Sequence, residues 1–369
     1  MARNRVIYQS EALFVSDRAA STGVSGHRQL ERVQSANFSY TINRQDINQF
    51  GELARIDSVI LDPPTVSADF SYYLTDGLNE AALGFYVSSG VNANYTTSNF
   101  ASGQMVGSSG ANVFIATSPE GIDINTEGSL GVTDTVIGIG NCYLTDYSVD
   151  MSVGSIPTAS VSMEGANIRS DNTIGADGLI DNPAVDQEAG TALTDQIELP
   201  SLTTGISSIA ALRPGDITVQ ISDLDGDTVA DLSGVDGAHV QSVSISAPFS
   251  RTPLDRLGSR FPFAREVDFP INVSMSISAI VNETTAYQLA DKLDAGAKRA
   301  TVTLKDKAGD PAIVWTVSGA KVDSESFSTA IGSNQSVDLT LSAQVGGIND
   351  VANGLFMSGA NNVAAFHSV

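Results

Sequence analysis

Polar and apolar residues alternate one by one over several short stretches of this chain, which predicts β-strands with one wet and one buried face. Over 33–42, Ala36, Phe38, Tyr40 and Ile42 fall on one side, and Ser35, Asn37, Ser39 and Thr41 on the other. After Pro63-Pro64, Val66, Ala68, Phe70 and Tyr72 oppose Ser67, Asp69, Ser71 and Tyr73. Over 158–165, Ala159, Val161 and Met163 oppose Thr158, Ser160, Ser162 and Glu164. Further strands are expected over 113–117, 135–139, 143–151, 217–222, 229–232, 300–304 and 312–317. Residues 43–51 read as a turn with one helical turn that brings Ile47 and Phe50 together. A helix is expected over 284–295, where Ala286, Leu289, Ala290 and Leu293 form a stripe and Gly296 ends it.

The pattern is written twice. Val33-Gln34-Ser35 returns as Val240-Gln241-Ser242, and without a gap Arg44 falls on Arg251, Gly51 on Gly258, Pro63 on Pro270 and Ser71 on Ser278. About ten identities hold one offset over roughly forty positions, the signature of an internal repeat. Each copy closes alike: Ser326 matches Ser148, Gly332-Ser333 matches Gly154-Ser155, and Val337, Leu339 and Leu341 stand for Ala159, Val161 and Met163. The third strand of the second copy is ragged, with Glu325 where the first has Tyr147.

Both copies keep the same face polar. The first reads Ser35-Asn37-Ser39, Ser67-Asp69-Ser71, Asp146-Ser148-Asp150 and Thr158-Ser160-Ser162-Glu164. The second reads Ser242-Ser244-Ser246, Ser274-Ser276-Ser278, Ser324-Ser326-Ser328 and Ser336-Asp338-Thr340-Ser342. A slip of one residue would invert every side chain, so the shared parity implies one sheet design used twice. An ordinary solvated face mixes long side chains of both charge signs. This one is short, neutral or acidic. It reads either as the solvated side of a sandwich or as the lining of a bore through which a polyanion slides.

Composition narrows the alternatives. The chain has 369 residues and a net charge of −23, which argues against a basic nucleic-acid-gripping surface. Only 17% of residues are charged and 33 are Gly, a mixture suited to short strands and turns. A lone Cys142 excludes an internal disulfide framework, and His27, His239 and His367 share no metal-ligand spacing. No run approaches a membrane span, and no hydrophobic signal segment follows Met1-Ala2-Arg3-Asn4-Arg5, so synthesis in the cytosol without export is expected. Asp223-Leu224-Asp225-Gly226-Asp227 with Asp231 has its Gly in the fourth place where a calcium loop needs it sixth, and reads as a turn. Nucleophile-elbow, phosphate-loop and zinc-protease motifs are absent from the sequence. No enzymatic activity, cofactor or metal is expected.

The segments around Leu30 to Tyr40, Arg44 to Gly51, Pro63 to Phe70, Asn141 to Ser148 and Val153 to Ser162, in this order and spacing, resemble the major tail tube proteins of long-tailed bacteriophages. The resemblance covers most of the first copy, and the repeat extends it to the second. It implies an all-β fold with a minor helix per module: two tandem β-sandwich tube modules whose inner sheets join those of neighbours into a shared oligomeric β-barrel. A two-module chain implies a trimeric, pseudo-hexameric ring that stacks into a tube and conducts viral DNA without binding it specifically.

The expected organisation is an N-terminal arm (1–32) in which Ile7 to Val15 can pair as a strand before a Ser/Gly-rich hinge over 19–26, module one (33–168), a connector (169–215), module two (216–346) and a C-terminal arm (347–369). The polar positions above are expected to face the bore. Arg44 and Arg251 are candidate interface residues, with a local salt bridge or loop-capping hydrogen bond as the alternative. Expected partners are other copies of the chain, the tape measure protein, and the tail terminator and distal tail proteins, all in the virion. A single-ring baseplate hub or adaptor, and a carbohydrate-binding β-sandwich, are the competing readings.

Overall fold

The structure is a computed structural model that describes residues 11–17, 26–89, 99–103, 110–126, 130–171, 174, 178–201, 217–223, 228–231, 239–259, 261–280, 296–306, 308–328, 334 and 336–359. The helix expected over 284–295 and the turn over 224–227 lie outside these residues.

The alternating stretches build one long antiparallel sheet. Its strands are β1 (Val33–Thr41), β2 (Thr65–Tyr73), β3 (Thr135–Ser152), β4 (Thr158–Gly165), β5 (His239–Pro248), β6 (Asn272–Ile280), β7 (Pro311–Ser328) and β8 (Ser336–Gln344). The spatial order is β1-β2-β4-β3-β5-β6-β8-β7. The second four strands thus repeat the order of the first four. They also repeat its irregularities. The β1–β2 ladder skips Gln34 and the β5–β6 ladder skips the corresponding Gln241. The β3–β4 ladder skips Thr145, and β7–β8 skips Asp323, its counterpart by the offset relating Ser148 to Ser326. Gln34 Nε2 donates to the Arg32 carbonyl at 3.0 Å, and Gln241 Nε2 to that of His239 at 3.2 Å. The bulges thus recur at matched residues of the two halves.

The apolar side of this inner sheet is covered by outer strands. In the first half these are His27–Gln29, Glu11–Asp17, Ala111–Thr117, the N-terminal part of β3, and Asn167–Asp171. In the second they are Thr228–Asp231, Ile217–Asp223, Lys298–Lys305, the N-terminal part of β7, and Gly354–Gly359. The core between the layers is continuous across both halves. Phe85, Phe100 and Tyr147 of the first half pack on Phe249 and Trp315 of the second; Phe85 and Phe100 stack at 3.9 Å, and Phe100 meets Trp315 edge-on at 5.0 Å. Fully burying each such ring stabilises by about 2–3 kcal/mol.

Four expectations are corrected. The strands expected over 135–139 and 143–151 are one strand of 18 residues that leaves the outer sheet for the inner one, as the equally long β7 does. The crossing needs a close backbone approach: a Cβ at Gly140 would stand 2.3 Å from the Pro183 carbonyl, and Asn141 takes a φ of 51°. Residues 43–51 hold no helical turn; Arg44–Ile47 and Asp57–Ile60 form a hairpin with exposed Ile47 and Phe50, and no core lies under them to reward a helical stripe. The N-terminal stretch is not an arm over 11–17, because this strand pairs in the outer sheet and buries Leu13, Phe14 and Val15. Nor is the C-terminal stretch an arm over 354–359, where all six residues are buried against β7. A five-residue helix, Leu78–Ala82, lies between the layers.

Candidate functional site: the polar face of the inner sheet

Because paired residues in a ladder point to the same side, the registers assemble the polar positions into rows that cross the sheet. One row runs Ser35, Ser71, Ser160, Ser148, Ser246, Ser274, Ser342 and ends on Lys321. The next runs Tyr73, Thr158, Asp150, Ser244, Ser276, Thr340, Ser324. Flanking them are Ser152, Ser242, Ser278, Asp338, Ser326 on one side and Asn37, Asp69, Ser162, Asp146, Pro248 on the other. Ser39, Ser67 and Glu164 form a shorter row, as do Ser336 and Ser328. None of the sequence-predicted face residues is buried. All of them lie on one side of one sheet within a single chain.

The rows make a face of short side chains that satisfy one another or water. Ser35 and Ser71 hydroxyls meet at 2.7 Å, Ser39 and Ser67 at 2.7 Å, and Ser328 and Ser336 at 3.0 Å. Asp69, Asp146, Asp150 and Asp338 give the face its negative sign, and partial burial raises the pKa of Asp146. Two charges depart from the expected pattern. Glu164 is engaged by the buried guanidinium of Arg265 at 2.8 Å, so its charge is compensated at the margin of the face. Lys321 ends the central row at the β7 edge. The signal for Lys321 is present in the strand parity once the skipped Asp323 is counted.

The two matched arginines differ in surroundings. Arg251 is largely buried where the Arg251–Leu254 strand leaves β5; it donates to the Arg265 carbonyl at 3.2 Å and lies 5.0 Å from the Tyr143 ring centroid. Burial lowers its pKa, with Tyr143 and Glu266 opposing. Arg44 is exposed at the base of its hairpin. The reason is position: the second hairpin stands beside β3 of the first half, whereas the first hairpin stands at the end of the sheet.

That end is open. Among the described residues β1 pairs only with β2, and the 321–328 part of β7 only with β8. Within the described residues both strands leave one line of backbone donors and acceptors unpaired, a template for a further strand. Both hairpin tips carry fully exposed apolar side chains among polar ones, Phe50 and Leu53 on one and Leu257 on the other. Gly51 (φ 96°) and Gly258 (φ 91°) turn the two tips at matched positions. Among the described residues no group of three or more His, Cys, Asp or Glu is placed to hold a metal ion.

No family model matches the chain, and no curated protein matches it. Among solved structures it is similar to a chain of the anti-feeding prophage baseplate, with 12% identity over 43% of this chain and 100% of that one, at a TM-score of 0.28. It is also similar to a chain of a native gene transfer agent virion, with 15% identity over 38% of this chain and 95% of that one, at a TM-score of 0.24. Scores this low carry no argument about fold or role, so the function must be read from the chain's own geometry.

Proposed function

We propose that this chain is the building block of a bacteriophage tail tube, in which three copies close their inner sheets into one ring, rings stack, and viral DNA passes along the polar face. The observation that carries this reading is an eight-stranded sheet whose exposed side is mostly serine, threonine, asparagine and aspartate, with a ladder unpaired among the described residues at each end. Three such sheets make 24 strands. At about 4.8 Å between strands and a tilt near 40°, the barrel is roughly 45–50 Å across the backbone. Side chains take about 10–12 Å of that, which leaves room for a duplex about 20 Å wide.

The chemistry of the face suits passage. Lysine or arginine would gain affinity from every phosphate it neutralised, whereas scattered carboxylates repel phosphates over a Debye length of about 8 Å. Hydroxyls hold water without offering a cation. The apolar hairpin tips, exposed on the single chain, would be covered by the neighbouring ring. On this reading the protein resides in the virion, and its partners are its own copies, the tape measure protein, and the terminator and distal proteins at the tube ends.

Negative-stain electron microscopy of the concentrated protein tests the proposal. Rings with a central hole, stacking into tubes, are expected. Open fibres or persistent single chains would sink it, and rings that never stack would favour the single-ring hub.

A further inference from the structure

The chain already contains one joint between its two halves, and that joint specifies another. Along β3 and β5, Asp150 lies opposite Ser244, Val149 opposite Ile245, Ser148 opposite Ser246, Tyr147 opposite Ala247 and Asp146 opposite Pro248. Val149 and Ile245 face the core there and are completely buried. The repeat relates β5 to β1 and β3 to β7, the two strands whose outer edges are bare. Carrying each residue to its counterpart gives a ladder of Asn37 with Ser328, Phe38 with Phe327, Ser39 with Ser326, Tyr40 with Glu325, and Thr41 with Ser324.

The side chains at those positions suit the pairing. Phe38 and Phe327 point to the core side of the sheet yet are 40% and 50% exposed, and their counterparts in the internal joint are the buried Ile245 and Val149. The large–small pair Tyr147 and Ala247 becomes Glu325 and Tyr40, with the larger ring on the other strand. Glu325 Oε1 is buried without a hydrogen-bond partner, and Tyr40, its partner in this register, is 60% exposed in the single chain and carries a hydroxyl that can donate. On the wet side, Asn37–Ser328, Ser39–Ser326 and Thr41–Ser324 continue the polar rows without a cation. One contact does not carry over: the counterparts of Tyr143 and Glu164 are Lys321 and Ser342, so the base of the first hairpin lacks the ring and acid that hold the second.

We infer that the β1 edge of one copy pairs antiparallel with the β7 edge of a second copy of this chain in that register, with Phe38 stacked opposite Phe327. The inference rests on the assembling role proposed above and adds the register and residues of the contact. Because the two edges differ, the contact is head-to-tail and leaves a free edge at each end until a ring closes.

Three double variants test it: Ser39→Cys combined with Ser324→Cys, Ser326→Cys or Ser328→Cys, each assembled, oxidised and run on a non-reducing gel. Directly opposed residues bring Cβ atoms within disulfide reach, whereas a two-residue offset does not. Covalent multimers are expected from the 39/326 pair, with loss of the product in the other two. A dominant product from 324 or 328, or assembled particles with no 39/326 product, would overturn the register. Phe327→Glu, checked for an unchanged circular dichroism spectrum, is expected to stay a single copy where the native chain assembles; normal assembly would overturn the contact. Cross-linked 39/326 chains seen as open fibres would uphold the register and remove the conduit reading alone.

Discussion

Replacing Glu80 by Gln probes the core that backs the polar face. Glu80 lies in the Leu78–Ala82 helix, fully buried between the layers. Its Oε1 accepts hydrogen bonds from the Tyr72 and Tyr147 hydroxyls, each at 3.0 Å, and its Oε2 has no partner. Desolvation pushes its pKa up from 4.5 to about 7, with Asp76 adding and the hydrogen bonds to its carboxylate opposing. Both tyrosine hydroxyls are held well above their ordinary range by burial and remain donors. A folded-state pKa raised above the unfolded one means that the folded chain holds the proton more tightly. The stability this contributes is fully present below pH 4.5 and is lost as pH rises through about 7. At about 1.4 kcal/mol per pH unit the full span is about 3 kcal/mol, of which about 2 kcal/mol falls between about pH 5.5 and 8. That window avoids the isoelectric point near 4.2. The single tryptophan, Trp315, lies 5.9 Å from the Tyr147 ring and reports unfolding of this region by its fluorescence. Urea unfolding of single copies at the two pH values should show the native chain losing about 2 kcal/mol more than Glu80→Gln between them. Equal losses in both proteins, or a variant weaker by the same margin at both pH values, would refute the reasoning.

Packing and charge set the other expectations. Trp315→Ala empties a site between the halves and should cost about 3–5 kcal/mol, with calorimetry still showing one transition because the core is shared. Gly140→Ala drives a Cβ against the Pro183 carbonyl and should cost about 1–3 kcal/mol in thermal unfolding. Gly154→Ala, with open space but a φ of 87°, should lose only about 1 kcal/mol. Ser148→Arg with Ser246→Arg puts two cations in the central row. Assembled particles should then retain duplex DNA at low salt and release it as salt rises, while native particles retain none; no retention by the variant would contradict the inward placement of this face.

The strands of the inner sheet were legible because each has one wet face, and a period of two survives in the sequence wherever burial is one-sided. Where burial is two-sided the period of two is lost and only a short apolar run remains, as over 113–117 and 312–317. Glu11–Asp17 buries Leu13 and Val15 in the main core and Ala12 and Phe14 in a second core outside the outer sheet; its apolar run reads as a strand, but the Ser/Gly-rich stretch after it suggests a detached arm. Gly354–Gly359 is likewise an apolar run inside an expected arm, and nothing in the sequence marks its pairing with β7. Glu80 was invisible because a charged letter in an irregular stretch gives no hint of burial; only the two tyrosines that reach it from β2 and β3 reveal the site.

The joining of β3 to β5 was also beyond the sequence, since a ladder is made by backbone atoms that every residue carries. Once that joint is seen, the repeat becomes more informative than either copy alone. The matched arginines show why. Arg251 is enclosed because a neighbouring four-strand unit stands beside it, and Arg44 is open because that place is empty in a single chain. The same contrast separates buried Ile245 and Val149 from exposed Phe38 and Phe327. Among the described residues of the inner sheet, the exposed core-side rings, Phe38, Tyr40 and Phe327, all lie on its two end strands. The β1 edge carries no charged residue, and Phe38 and Phe327 flank the two ladders that are unpaired among the described residues; the proposed contact would cover both rings, while Lys321, Asp323 and Glu325 on the β7 edge discourage indiscriminate pairing.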